Sequence, residues 1–230
     1  MYQSIRGWDE AALSYSKYET SSPYSLFCRE YIASNFENVS NKKILDAGCG
    51  NGEYTHILTK NGCTVIGCDA SNEMLKIAKE KYPKYRYDNV NFMDKTPYDN
   101  NYFDIVLCHL VLMNIDPIDN AIAEFCRITK ENGIFFFSIV HPAFYLAEWE
   151  RNEDGIALSK KMSNYITPTS MQQMFWGSTM HYHRPVSYYF NKIIKAGFTL
   201  KEMHEPQVYD CNESKIPDIP LYLFAEFQKL

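Results

Sequence analysis

The sequence predicts an α/β protein built on a mostly parallel sheet with helices on both faces. Three observations carry this. Short apolar runs at residues 43–47, 64–68, 103–108 and 134–140 alternate with helix-compatible stretches, the pattern of successive strand–helix–strand units. The run at 134–140 is almost wholly apolar, as a central strand covered on both faces should be. The first run ends in Asp46 and the alternate glycines Gly48, Gly50 and Gly52 before a helical stretch opens, a strand–tight loop–helix junction.

Taken in order, residues 1–20 carry Trp8, Tyr15 and Tyr18 among polar residues without a long periodic face. They read as an N-terminal arm, the first part of a 1–40 arm or lid that either packs on the body or covers a ligand. Ser22-Pro23 opens a helix to about residue 35. After the first strand and its loop, a helix over 54–60 stops at Asn61-Gly62, and the second strand at 64–68 delivers Asp69. A helix over 71–81 follows, with Met74, Leu75, Ile77 and Ala78 on one side and Pro83 beyond its end. A short third strand is expected at 89–93, ending in Asp94, and a fourth at 103–108, leading to His109. Asp116-Pro117 begins a helix with Ile118, Ala121, Ile122, Phe125 and Ile128 at helical spacing, which Asn132-Gly133 ends. The fifth strand, 134–140, delivers His141. Residues 143–185 are then irregular and rich in aromatic residues and Met; structureless stretches of that length are uncommon unless functional, so they read as a cap inserted over a site. A helix over 187–196 and strands at 198–203 and 221–227 close one domain spanning residues 1–230.

Composition narrows the function classes. The net charge of −5 gives no overall basic footprint for nucleic acid, and no apolar run approaches the roughly 20 residues that cross a bilayer. The N-terminus lacks the apolar stretch of a secretory signal, which argues for a cytoplasmic, soluble protein. Seven cysteines, odd in number and without a C-x-x-C pair, argue against a disulfide framework and against a metal site. Small-molecule partners are favoured over nucleic acid or membrane; monomer and homodimer both remain open.

The loop spacing narrows the ligand. A dinucleotide fingerprint needs a third glycine where Glu53 stands, and a phosphate-binding P-loop needs a Lys that is absent. Asp69, about twenty residues beyond the loop, is placed to accept hydrogen bonds from the two hydroxyls of a ribose, or else to serve as an acid at a helix N-terminus. The remaining D-x-G-x-G-x-G motif resembles the first motif of class I S-adenosylmethionine-dependent methyltransferases, and the series of elements resembles the order of that family. The resemblance implies a Rossmann-like seven-stranded sheet in the order 3-2-1-4-5-7-6 with strand 7 antiparallel, and S-adenosylmethionine as cofactor. It places Asp46, Gly48, Cys49, Gly50 and Gly52 at the methionine part, Asp69 and the adjoining Ala70 at the ribose, and Met93 and Asp94 beside the adenine. His109 falls at a strand end that lines the cofactor, Met74 suits an adenine face, and the W-D-x-x-A-x-x-Y pattern from Trp8 to Tyr15 resembles an arm that places Tyr15 over the sulfonium.

These features imply methyl transfer to an O or N atom of a small molecule. Cys108-His109-Leu110-Val111 stands where DNA amino-methyltransferases carry an Asn/Asp-Pro-Pro-aromatic tetrad, which counts against a nucleobase target. A hydroxyl or ammonium acceptor needs a general base; His141 is the first candidate and His183 the second, each with a purely structural role as the alternative. Trp149, Phe175, Trp176 and Tyr182 of the cap are candidates to hold an apolar or flat acceptor, or else form core. The competing readings are a non-catalytic binding protein of the same fold, an RNA or protein methyltransferase, and a nicotinamide-dependent oxidoreductase.

Overall fold

The near-continuous apolar run becomes β5 (Thr129–Val140), a central strand whose successive phenylalanines feed opposite faces of the sheet. The structure, a computed structural model, describes residues 2–145, 147–208 and 219–230. Phe135 and Phe137 pack on one side with Phe125 of α5 (Asp119–Ile128), Tyr189 of α6 (Val186–Lys195) and Phe198. Phe136 packs on the other with Ile32 of α2 (Pro23–Asn35) and Leu58 of α3 (Glu53–Lys60). Each buried Phe contributes about 1.5–3 kcal/mol, so this one strand ties both helical layers together.

Beside β5 lie β4 (Phe103–His109), β1 (Lys43–Ala47), β2 (Thr64–Asp69) and β3 (Arg86–Asn89), all parallel. On its other side β11 (Tyr222–Lys229) runs antiparallel to β5 and to the edge strand β10 (Phe198–His204). The order β10-β11-β5-β4-β1-β2-β3 is the expected seven-stranded order, with β10 and β11 as sixth and seventh strands. The winding reverses between β1 and β4, and ligands bind beyond the carboxyl ends of strands at such a point.

Four elements depart from the sequence reading. Residues Tyr2–Ser21 form one helix, α1, lying against α2, α4 (Asn72–Lys81) and a cap strand. The third strand is Arg86–Asn89, and 90–93, expected to continue a strand begun at 89, belong to the loop that follows it. As an edge strand paired only with β2 it needs no apolar run, and Tyr87 alone of its four residues is buried. Helix α5 begins at Asp119 and ends at Ile128; Asn132-Gly133, expected to stop it, instead lies within β5 beside a register shift against β4. The cap is built of two antiparallel hairpins, β6 (Glu148–Arg151) with β7 (Ala157–Lys161) and β8 (Thr169–Gln173) with β9 (Thr179–His183). Among the described residues no helix is long and apolar enough to cross a membrane. Cys28, Cys49, Cys63, Cys68, Cys108 and Cys126 are free thiols, and Cys211 lies outside the described residues.

Candidate active site

The loop after β1 is held by its neighbour. The amides of Gly48 and Cys49 both donate to the Cys68 carbonyl of β2, at 2.8 and 2.9 Å. Gly48 has φ +79°, and a Cβ there would stand 2.3 Å from Cγ2 of Val111, so the position excludes any side chain. Gly50 differs: nothing lies within 4 Å of where its Cβ would be, because its bare backbone faces a cavity. Asp69, at the end of β2, accepts from the Gly50 amide at 3.0 Å and the Ser71 amide at 2.9 Å. Each carboxylate oxygen keeps a further lone pair. Burial raises the Asp69 pKa while these two amides act against the rise.

The cavity at this loop, ≈ 230 Å³, is bounded by Gly48, Gly50, Asp69, Ala70, Met74, Met93, His109, Tyr15 and Tyr182. Those are nine of the residues singled out from sequence. Helix α1 closes it from above through three latches. Asp9 accepts from the Ser71 hydroxyl at 2.6 Å and the Glu73 amide at 3.2 Å at the start of α4, Asn51 donates to Ser16 at 3.2 Å, and Ser4 donates to the Asn114 carbonyl at 3.3 Å. Asp46, Cys49 and Gly52 are buried and outside the cavity wall. Asp46 is buried, accepts from the Thr55 hydroxyl at 2.6 Å, and is pushed up to about 7 chiefly by burial. Asp94 is exposed, hydrogen-bonded by Asn91, and outside the cavity wall.

A second, larger chamber of ≈ 460 Å³ adjoins the first and shares Trp8, Tyr15, His109, Leu110 and Asn114 with it. Phe175 and Trp176 line it, and Trp176 meets Trp8, Tyr15 and Tyr18 at ring-centroid distances of 5.0 to 6.4 Å. His109 stands between the cavities, its Nε2 3.0 Å from the Tyr54 hydroxyl and its Nδ1 2.6 Å from the Ser138 hydroxyl. Burial drives its pKa down to about 3, so it is a neutral, doubly anchored ring. His181, also on the chamber wall, is pushed down to about 4 by burial.

The structure does not bring the other candidates to either cavity. The Nδ1 of His141 accepts from the Ala143 amide at 3.2 Å, which leaves the proton on Nε2 facing Glu205 at 2.6 Å. His183 donates through Nε2 to the Tyr165 carbonyl at 2.8 Å. Trp149 lies on the β6–β7 hairpin beneath the Lys160 ammonium, 4.4 Å from its ring. In their place stand Glu19, Tyr145, Gln173 and His181, which sequence reasoning passed over. For Glu19 a signal existed: Trp8, Ala12, Tyr15 and Glu19 recur at helical spacing. Arg184 is a further residue that the sequence reading does not single out. It is buried and donates to the carbonyls of Leu112 at 3.2 Å and Ile115 at 2.7 Å and to Asp116 at 2.7 Å, fixing the post-β4 segment that walls the first cavity.

A family model described as a methyltransferase domain matches residues 45–137. The chain is 28% identical over 203 residues to a malonyl-[acyl-carrier protein] O-methyltransferase of Buchnera aphidicola, covering 87% of this chain and 81% of that one. It is 30% identical over 172 residues to a demethylmenaquinone methyltransferase of Chlorobaculum tepidum, covering 70% and 66%. A solved structure from Listeria monocytogenes, provisionally assigned as an S-adenosylmethionine-dependent methyltransferase, superposes with a TM-score of 0.73 at 25% identity over 88% of this chain and 98% of that one. The bare backbone of Gly50 beside the pinned Asp69 carboxylate fits an adenosyl ligand, with the bare face toward the cavity and unused lone pairs on both acid oxygens. The chain thus belongs to the class I S-adenosylmethionine-dependent methyltransferases, with S-adenosylmethionine as its cofactor.

Proposed function

We propose that the chain transfers a methyl group to an O or N atom of a small-molecule acceptor held in the second chamber. The observation that carries this reading is the junction of the two cavities: Tyr15, Trp8 and His109 wall both. Gly48, Gly50 and Asp69 would hold the cofactor in the first, with Met74 and Met93 on the apolar side of the adenine ring. A bound cofactor would supply an electrophilic methyl carbon, open to in-line attack by an acceptor lone pair with the thioether sulfur as the leaving group. The protein's task is then orientation and exclusion of water. Helix α1 and the β8–β9 hairpin perform the exclusion: at Gly7 a Cβ would sit 2.1 Å from the Ser178 carbonyl oxygen, so helix and hairpin meet backbone to backbone. His109 is too firmly neutral to act as a base near pH 7 and serves as a wall between the sites.

The test is differential scanning fluorimetry with S-adenosylhomocysteine, followed by labelled methyl transfer across a panel of small amines, phenols and carboxylates. A ligand at a hundred times its dissociation constant stabilises by about 2.7 kcal/mol, about 5–10 °C for a chain of this length. Asp69→Ala removes most of that rise. A wild-type chain whose melting point ignores millimolar ligand refutes the reading.

A further inference from the structure

Among the described residues of the chamber wall, Glu19 alone carries a buried polar side-chain atom without a partner. It sits in the last turn of α1, where the helix's carbonyl ends disfavour a negative charge. It is 5% exposed, and its Oε2 is buried without a hydrogen-bond partner. A carboxyl group left this way costs the fold free energy that a ligand bringing a donor would recover.

The rest of the wall fixes the charge of that ligand. Among the described residues no Lys or Arg lines the chamber, and its two histidines, His109 and His181, are held neutral by burial. Beside Glu19 stand the rings of Trp8, Tyr15, Tyr18 and Trp176, whose neighbouring centroids lie 5.0 to 6.5 Å apart. Such faces attract a cation by about 0.5–2 kcal/mol, most when water is excluded. An anionic acceptor would meet a carboxyl group and, among the described residues of the wall, no cationic side chain.

We infer that the second chamber selects a cationic acceptor, an amine on an apolar or aromatic body, with Glu19 as the partner of the ammonium group and the four rings as its walls. The inference rests on the second chamber being the acceptor site. It also assigns the proton. Burial and then the neighbouring Glu53 carboxylate push Glu19 up to about 8; Asp46 acts in the same direction, and Arg29 and Lys81 oppose it. In the empty chamber near pH 7 the group is therefore protonated, and an arriving ammonium drives that proton into solvent. The carboxylate so formed then takes a proton from the ammonium nitrogen: one N–H bond breaks, one O–H bond forms, and the neutral amine is left with a free lone pair.

The test uses three probes with one body and different heads: phenethylamine, 2-phenylethanol and phenylacetate. Each is titrated by calorimetry at pH 7 into the full chain saturated with S-adenosylhomocysteine. Phenethylamine is expected to bind at least about tenfold more tightly than the alcohol, with phenylacetate weakest. Its heat is expected to vary with the ionisation enthalpy of the buffer, corresponding to release of nearly one proton. Glu19→Gln is expected to abolish both the preference and the proton release while leaving S-adenosylhomocysteine affinity unchanged, since Glu19 does not line the first cavity. The wild-type ranking alone decides the matter if the variant fails to fold. A chain that binds S-adenosylhomocysteine but takes phenylacetate as tightly as phenethylamine, shows no amine binding at millimolar concentration, or keeps its amine preference after Glu19→Gln overturns the inference and leaves the cofactor reading intact. Failure to bind S-adenosylhomocysteine overturns the cofactor reading instead, and the same three titrations on the ligand-free chain then decide the amine preference.

Discussion

Replacing Glu19 by Gln should stabilise the ligand-free protein, and the gain should grow with pH. The carboxyl, 4.5 when unperturbed, is pushed up to about 8 in the fold by burial and by Glu53. Below 4.5 both folded and unfolded chains hold the proton and the ionisation penalty is absent. Between 4.5 and 8 the unfolded chain releases it while the folded chain cannot, so unfolding is favoured progressively as pH rises. At 1.36 kcal/mol per pKa unit, the full penalty above pH 8 is on the order of 5 kcal/mol, of which about 3–4 kcal/mol accrues between pH 5 and pH 8. The residue is buried, so water screens little of this. Gln keeps the shape and removes the ionisation. For a chain of this length 1 kcal/mol moves the melting temperature by about 2–4 °C, so the Glu19→Gln minus wild-type difference should widen by roughly 6–16 °C from pH 5 to pH 8. Calorimetric melts of both proteins at the two pH values measure it. A difference that stays constant, or narrows, refutes the assignment of a buried, uncompensated carboxyl group.

Other perturbations follow from the same geometry. Gly48→Ala forces a Cβ to within 2.3 Å of Val111 at φ +79° and should destabilise the chain by about 1–3 kcal/mol, read by urea unfolding; a neutral effect would mean the loop is not constrained as described. Arg184→Met strands the carbonyls of Leu112 and Ile115, while the exposed Asp116 passes to water, and should cost about 1–3 kcal/mol while weakening S-adenosylhomocysteine binding, because the segment it clamps walls the first cavity. Arg184→Lys should rescue little of this, since one ammonium cannot reproduce the guanidinium fork; full rescue would show that charge alone matters. Tyr87→Phe should stabilise by about 1 kcal/mol, because the Tyr87 hydroxyl is buried without a partner; a loss of that size in chemical denaturation would reveal a bond to that hydroxyl.

How much of this was legible in the sequence depends on whether the cause of each feature is local. The glycine loop and Asp69 were legible because a positive φ and a strand-terminal acid are properties of a few consecutive residues. The central strands were legible because burial on both faces leaves a near-continuous apolar run, as Ile134 to Val140 shows with Ser138 as its one polar residue. The edge strand β3 was misplaced by three residues because pairing on one side only asks for one buried residue in four, and Tyr87 is that residue. The hairpins of the cap were read as irregular because three of their four strands bury at most one residue each, β8 only Gln173, which leaves little apolar alternation; β9 alternates buried and half-buried residues, but the buried ones are Thr179, His181 and His183. Helix α1 failed for a different reason. Amphipathic periodicity is visible when one face of a helix packs against protein, but much of the inner face of α1 bounds two cavities that bound molecules complete. Ser4, Trp8, Tyr15 and Glu19 keep the helical spacing, yet their mixture of hydroxyl, aromatic and acid faces cavities instead of packed protein and reads as an arm rather than a core helix. The stretch whose periodicity looked weakest therefore carries the residues through which the chain would distinguish one acceptor from another, and the strength of a hydrophobic pattern says least where the facing surface is a substrate.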